Sequence, residues 1–207
     1  MLTLHRIVIF RDGPERAGQV EPCTTTHPMG AIDPRKLWGW LQNYLDKTGG
    51  DVAAFPHNGN LSSGMMFVLQ VGFADGTPLD AHYAAPRQKW ERLYEATPTK
   101  GEGEAHYLFS PDYEPADFET ANYGSLDATQ AKIDGMLAGE YPRSGLQRGL
   151  MLEEALSVNL FKFGMGGAGN DHISMSSPEN DSFIEKKAPY EPSEHRVVNE
   201  ESELIAL

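Results

Sequence analysis

The feature that most constrains this chain is a short apolar run that stops at a proline and is followed by a histidine. Residues 52–55, Val-Ala-Ala-Phe, are long enough for one buried strand, and Pro56 ends it because proline has no N–H to donate. His57 comes next, and Asn58-Gly59-Asn60 has the composition of a turn. Strand ends in α/β folds bind ligands and metals, and a neutral imidazole suits metal ligation or acid–base catalysis. A lone histidine more often hydrogen-bonds a loop carbonyl, so both interpretations of His57 stay open.

The segments around this run predict an α/β fold. Residues 4–10 are β-prone. Asp33 and Pro34 are typical of a helix start, and Gly49-Gly50 is typical of a helix end. An order of strand, helix and strand favours an α/β chain. The helix has one apolar face, made of Leu37, Trp38, Leu41, Tyr44 and Leu45, and we expect Trp38 and Trp40 to pack in the core.

Further along the chain the patterns are weaker. Residues 65–73 suggest a buried strand or a helical turn, and residues 86–94 suggest a helix, with a strand over residues 93–97 as the alternative. Helices are predicted over residues 126–137 and after residues 141–146 as far as residue 156, and a strand over residues 158–165. In the 86–94 helix, the charged residues Arg87, Lys89, Glu91 and Arg92 are expected to be solvated.

Composition narrows the class of protein. A chain of 207 residues is long enough for one domain with a real core, and a net charge of −13 argues against nucleic acid or an anionic membrane as the main partner. Cys23 is the single cysteine, which excludes an internal disulfide framework and a cysteine-based zinc site. We recognise no signal peptide and no apolar run of the ~20 residues that a membrane span needs, so a cytoplasmic location is the default expectation.

Two loops carry further candidate groups. Glu104 and His106 are two residues apart, so in an extended segment they face the same side, as a metal-binding pair would. A solvated acidic turn is an equally good interpretation. Arg143 could bind a phosphate or carboxylate through its guanidinium, or form a surface salt bridge. Asn170-Asp171-His172 follows a glycine-rich segment that would let the backbone approach a site closely.

Taken in order, these segments resemble the DUF3604 family, which belongs to the PHP superfamily of metal-dependent phosphoesterases. The stretches that carry the resemblance are LHRIVIFRDGPERAGQV, GGDVAAFPHNGNLSSGMMF, RLYEATPTKGEGEAH, SPDYEPADFE, EYPRSGLQRGLMLE, FKFGMGGAGNDH and SFIEK, which together run from about Leu4 to Lys186. The resemblance implies a partial, distorted (β/α) barrel of PHP or TIM-like type over residues 1–187. Residues 188–207 form an acidic, proline-broken tail that we expect to be disordered.

The resemblance also implies a site. Its metal ligands would be His57, Glu104, His106, Asn170, Asp171 and His172, which hold divalent zinc, manganese or iron. His57 and His106 would be catalytic, and Asn58 and Arg143 would contact a small-molecule substrate, for which a phosphoester is one candidate.

Two departures from the family pattern shape the functional expectation. The resemblance gives the superfamily's opening His-x-His motif no counterpart in this sequence, so we expect the chain to correspond to the later part of a longer protein, and it aligns Asn170 with an aspartate of the family. We therefore expect either a metal-dependent hydrolase with an altered metal site or an impaired remnant with a binding role. A second chain that completes the barrel is a candidate partner.

Overall fold

A computed structural model describes residues 5–23, 33–70, 76–97, 101–117, 120, 122, 124–125 and 130–167. The candidate metal ligands at the end of the glycine-rich segment, within residues 168–172, lie outside these ranges, as does the predicted tail at residues 188–207. The helices are α1 (Pro14–Ala17), α2 (Pro34–Thr48), α3 (Ala81–Trp90), α4 (Asp134–Leu137) and α5 (Pro142–Leu156), and short 3₁₀ helices span Gly59–Leu61 and Glu114–Asp117. The strands are β1 (Arg6–Phe10), β2 (Val52–Pro56), β3 (Leu93–Thr97) and β4 (Gly164–Gly167).

The strands form two small sheets. β1 and β2 are antiparallel, with Arg6 opposite Pro56 and Phe10 opposite Val52, and the N–H of His57 donates to the carbonyl of His5 at 3.0 Å. β3 and β4 are parallel, with Leu93 opposite Gly164. A mixed α/β class is confirmed, but the described residues form no closed barrel.

Helix α2 forms as its sequence predicts. The side chain of Asp33 accepts a hydrogen bond from the N–H of Arg35, Pro34 occupies the first turn, and Gly49 ends the helix in the left-handed conformation at φ 63°. The helix buries Trp38, Leu41 and Tyr44, while Trp40 packs edge-on against the ring of Phe10. The core positions of Trp38, Leu41 and Tyr44 are therefore confirmed, while Leu37, Trp40 and Leu45 are partly buried and pack against the core.

The 86–94 segment differs from the main prediction. Helix α3 begins at Ala81, because Asp80 caps it by accepting from the N–H of Tyr83, and it ends at Trp90. The alternative strand, β3, is the correct description of residues 93–97. Pro86 lies inside the helix, where it removes one backbone hydrogen bond.

The expectation that Arg87 and Glu91 are solvated is wrong. Glu91 is 2% exposed and accepts from Arg6 Nε at 2.9 Å, Arg87 Nε at 3.1 Å and Trp38 Nε1 at 3.0 Å. The two guanidinium groups satisfy the carboxylate, which is what allows a charge to be buried. This network joins β1, α2 and α3 in the core.

Three other predicted elements differ from the structure in length, position or type. Within the described part of residues 126–137, only Asp134–Leu137 is helical, and Ile133 is exposed. The strand predicted over 158–165 is displaced to Gly164–Gly167 because the glycines pair with β3. Residues 65–70 form turns and bends, although Met66 and Phe67 are buried. Helix α5 ends at Leu156 as predicted, but it begins earlier than predicted, at Pro142.

Within the described ranges, no helix is both long and apolar enough to cross a membrane. Cys23 is partly buried, and burial raises the pKa of its thiol, which favours an unreactive side chain.

Candidate functional site

A buried histidine–carboxylate pair lies where β2 ends. His57 follows the last residue of β2, and its Nδ1 contacts Oε2 of Glu95, which is in the middle of β3. The side chains of His57 and Glu95 are 10% and 1% exposed. Oε1 of Glu95 has no hydrogen-bond partner among the described residues. Glu95 therefore holds Nδ1 of the His57 ring.

The turn after His57 is buried rather than solvated. Asn58 adopts the left-handed conformation at φ 54° and is 3% exposed. Within the part of the chain that the structure describes, neither atom of its side-chain amide has a hydrogen-bond partner. Gly59 lies against Tyr94, so close that a Cβ at residue 59 would be 1.7 Å from the Tyr94 hydroxyl. A buried amide with unused donor and acceptor atoms is suited to a bound polar ligand or water.

A second buried ion pair lies next to this turn. Lys132 Nζ donates to the carbonyl of Asn60 at 2.6 Å and is 3.2 Å from Oε2 of Glu140. Tyr94 donates its hydroxyl to the carbonyl of Glu140 at 3.3 Å. Burial lowers the pKa of Lys132 and raises the pKa of Glu140, each partner opposing the shift of the other. The pair therefore lies in a region where charge is costly.

His106 and Tyr141 form an aromatic cluster beside Glu140. His106 is 1% exposed, its Nδ1 accepts from the N–H of Leu108 at 3.3 Å, and its ring centroid is 5.1 Å from that of Tyr141. The Tyr141 hydroxyl is buried without a hydrogen-bond partner in the described ranges. Burial raises the pKa of Tyr141, and the charges of Glu140 and Glu102 raise it further. Tyr141 thus stays a neutral phenol at ordinary pH.

Glu104 is paired with the candidate anion-binding arginine. Its Oε1 accepts from Arg143 Nε and is also 2.8 Å from Arg143 Nη2. The guanidinium of Arg143 lies 3.9 Å from the centroid of the Tyr113 ring. The two paired side chains are 40% and 24% exposed for Arg143 and Glu104 respectively. The salt-bridge alternative from the sequence is thus the arrangement that the structure has.

The predicted ligand set is not assembled by the described residues alone. His57 meets Glu95 and Glu104 meets Arg143, while the His106 ring packs among aromatic rings. In these ranges no group of three histidine, cysteine, aspartate or glutamate residues could hold a metal. The other three candidates, Asn170, Asp171 and His172, lie outside the described residues. The predicted ligands that the structure describes therefore do not form a complete metal centre among themselves.

Sequence reasoning missed several residues of this site, namely Glu95, Lys132, Glu140 and Tyr141. Glu95 carried a usable signal, because it is the one charged residue in the segment Leu-Tyr-Glu-Ala-Thr that forms β3. A charged residue in an otherwise apolar or neutral strand is exposed, paired or functional. Lys132 and Glu140 carried no comparable signal, since charged residues are common in loops.

Comparison with known protein families shows which family this chain resembles. The family model described as "Protein of unknown function (DUF3604)" matches residues 1–206. Neither the curated proteins nor the solved structures contain a match to this chain. The match spans essentially the whole chain, including the region assigned to the tail. The chain therefore belongs to the DUF3604 family.

Proposed function

We propose that this chain is a metal-dependent hydrolase domain of the PHP type, which acts on a small-molecule phosphoester. The observation that carries the proposal is the buried contact between His57 Nδ1 and Glu95 at the end of β2. A carboxylate on one imidazole nitrogen sets the tautomer and the orientation of the ring. The same arrangement serves a metal-ligating histidine and a histidine that moves a proton.

The surroundings of the pair support a polar substrate. The Asn58 amide, which directly follows His57, and Oε1 of Glu95 are both buried with atoms that make no hydrogen bond within the described ranges. Such groups usually have a partner, because leaving them unpaired costs about 1–3 kcal/mol each. A substrate oxygen or bound water near His57 would supply that partner, in line with the substrate contact expected of Asn58.

The metal ligands would be His57 and groups from residues 170–172. Gly167 is paired with Thr97 at the end of the parallel β3–β4 sheet, and it is three residues from Asn170. When bound, zinc, manganese or iron would lower the pKa of a water to about 7 and stabilise charge on the phosphoryl group. The chain's own contribution is to hold the His57 ring through Glu95.

The second candidate is a remnant that has lost catalysis and keeps a binding role, alone or with a chain that completes the barrel. Two contacts favour it: Arg143 neutralises Glu104, and His106 is buried in an aromatic cluster. Asn170, a neutral residue, also replaces a carboxylate of the family pattern. The two candidates differ in whether the purified chain retains metal and turns over substrate.

The test is made on the full chain, stripped with a chelator and reloaded with Mn²⁺, Zn²⁺ or Fe²⁺. Metal content is measured by mass spectrometry, and turnover is measured with p-nitrophenyl phosphate. We expect slow metal-dependent turnover that His57→Ala abolishes and that Glu95→Gln reduces by about 10²–10⁴-fold, the range of a lost acid–base contribution. His82→Ala, at an exposed position of α3, is the matched control and should retain activity.

Two results would decide against the hydrolase. A reloaded chain that holds no metal and does not turn over the phosphoester would support the binding remnant. Turnover that survives His57→Ala would show that the pair at the end of β2 is not the site.

A further inference from the structure

We infer that Lys132 and Glu140 are positioning residues for the His57 turn, which we define as residues 57–61. This inference rests on the proposed function, because it concerns how the chain holds His57 and Asn58 for reaction. Neither residue belongs to the set expected from the sequence. Both lie on a different part of the chain, before and after α4, and reach the turn through space.

Lys132 holds the turn at its centre. Its Nζ donates to the carbonyl of Asn60 at 2.6 Å, two residues after the left-handed Asn58. Glu140 pairs with the same ammonium, with Oε2 at 3.2 Å from Nζ. A charge-assisted hydrogen bond of this kind is shorter and stronger than a neutral one. The turn therefore cannot shift without breaking the contact to a buried ammonium.

Glu140 also holds the chain just after the turn. Its Oε1 accepts from the N–H of Gly64 at 3.3 Å, and the carbonyl of Gly139 accepts from the N–H of Phe67 at 2.8 Å. Gly139 packs so closely that a Cβ there would lie 2.2 Å from the carbonyl oxygen of Gly64. The His57 turn and the segment that follows it are thus bound to residues 139–140 at several points.

Tyr94 ties the same assembly to the catalytic pair. Its hydroxyl donates to the carbonyl of Glu140 and packs against Gly59, and the next residue of β3 is Glu95. One strand therefore provides both the carboxylate that holds the His57 ring and the tyrosine that touches the turn. The Lys132–Glu140 pair adds a second set of contacts to the same turn.

The cost of burying the pair argues for a role beyond stability. The side chains of Lys132 and Glu140 are 5% and 0% exposed. Buried ion pairs contribute little net stability, because desolvation offsets their attraction, and their best-attested use is to specify one arrangement. Here the arrangement they specify is the conformation of the His57 turn.

The test uses the full chain and variants that separate positioning from folding. Lys132→Met alone would leave Glu140 buried without its partner, so the decisive variant is Lys132→Met/Glu140→Gln, which removes both charges together. Leu41→Ala, in the buried face of α2, is a control that destabilises the core without touching the turn. Turnover is measured with p-nitrophenyl phosphate and Mn²⁺, and the His57 ring is followed by its ¹H–¹⁵N signals.

We expect the double variant to move the His57 ring signals and to lower kcat by about 10²-fold with KM within about twofold, because small displacements of a catalytic group cost rates of that order. Leu41→Ala should change neither the signals nor kcat below its unfolding temperature. In a Cys23→Ser background, Lys132→Cys alkylated with 2-bromoethylamine restores an ammonium at nearly the same reach. Alkylation should return both the His57 ring signals and the kcat of the Lys132→Cys chain toward their wild-type values.

Unchanged ring signals in the double variant would overturn the inference, whether or not the wild-type chain is active. Moved signals with wild-type kcat would overturn it as well. A wild-type chain without turnover, combined with moved signals in the variant, would refute the proposed hydrolase while supporting the positioning of the turn.

Discussion

Glu91→Gln is predicted to cause a large loss of stability, because the glutamate neutralises two buried guanidinium groups. Arg6 Nε and Arg87 Nε lie 2.9 and 3.1 Å from its oxygens, and the side chains of both arginines are 4% exposed. Removing one partner from a buried ion pair costs about 3–5 kcal/mol. Glutamine has nearly the same shape as glutamate and can still accept a hydrogen bond from Trp38. The loss of stability therefore measures the effect of the missing charge.

The measurement is urea unfolding followed by tryptophan fluorescence. With a urea dependence of about 2–3 kcal/mol per M, the midpoint should fall by about 1–2.5 M. The matched control is Asp51→Asn, which breaks an exposed pair with Arg11 whose side chains are 55% and 68% exposed. Such a pair is worth about 1 kcal/mol or less. Equal midpoint shifts in the two variants would refute the reasoning.

The same network predicts how the stability difference between wild type and Glu91→Gln depends on pH. Burial raises the pKa of Glu91, but the charges of Arg6 and Arg87 outweigh burial and hold the pKa below its usual value. Because the folded-state pKa is lowered, ionised Glu91 contributes its full stabilisation above the unfolded pKa of about 4.3. This contribution is lost as the pH falls through the folded-state pKa. The stability gap between wild type and Glu91→Gln should therefore be constant near neutral pH and shrink in acid. A gap that widens below pH ~4 would contradict this.

Two further predictions concern the site. Gly59→Ala should destabilise the chain by about 1–3 kcal/mol in the same urea titration, because the new Cβ would lie 1.7 Å from the Tyr94 hydroxyl. The control Gly39→Ala in α2 has open space around the new Cβ and should stabilise the chain by up to about 1 kcal/mol. Asn170→Asp should increase Mn²⁺ affinity in a calorimetric titration of the full chain, because a carboxylate offsets the dication charge; unchanged affinity would mean that Asp171, or neither residue, is the ligand.

Local signals were sufficient for the elements that local chemistry controls. The cap at Asp33, the proline after it and the left-handed glycine at residue 49 define helix α2 within the chain's own neighbourhood. The apolar run and Pro56 likewise set the end of β2 and place His57 just beyond it. These features depend on residues a few positions apart, so the sequence alone was enough to predict them.

Tertiary contacts decided what each charged group does. Arg87 and Glu91 read as solvated residues of a helix, but Arg6, 81 positions from Arg87 along the chain, makes their burial possible. Glu104 and His106 are two apart, yet Arg143 holds one and the aromatic rings of Tyr107 and Tyr141 hold the other. Spacing in the sequence indicates which side chains could face the same way. Contacts with residues distant in the sequence determine what each side chain binds.

The same division applies to the site. That His57 follows a strand end was determined by the sequence, because a proline and a turn are local properties. That its ring is held by Glu95, and its turn by Lys132, was decided by packing of segments 38 and 72 residues away. Burial makes those contacts strong, since a polar group removed from water must find its partner within the protein.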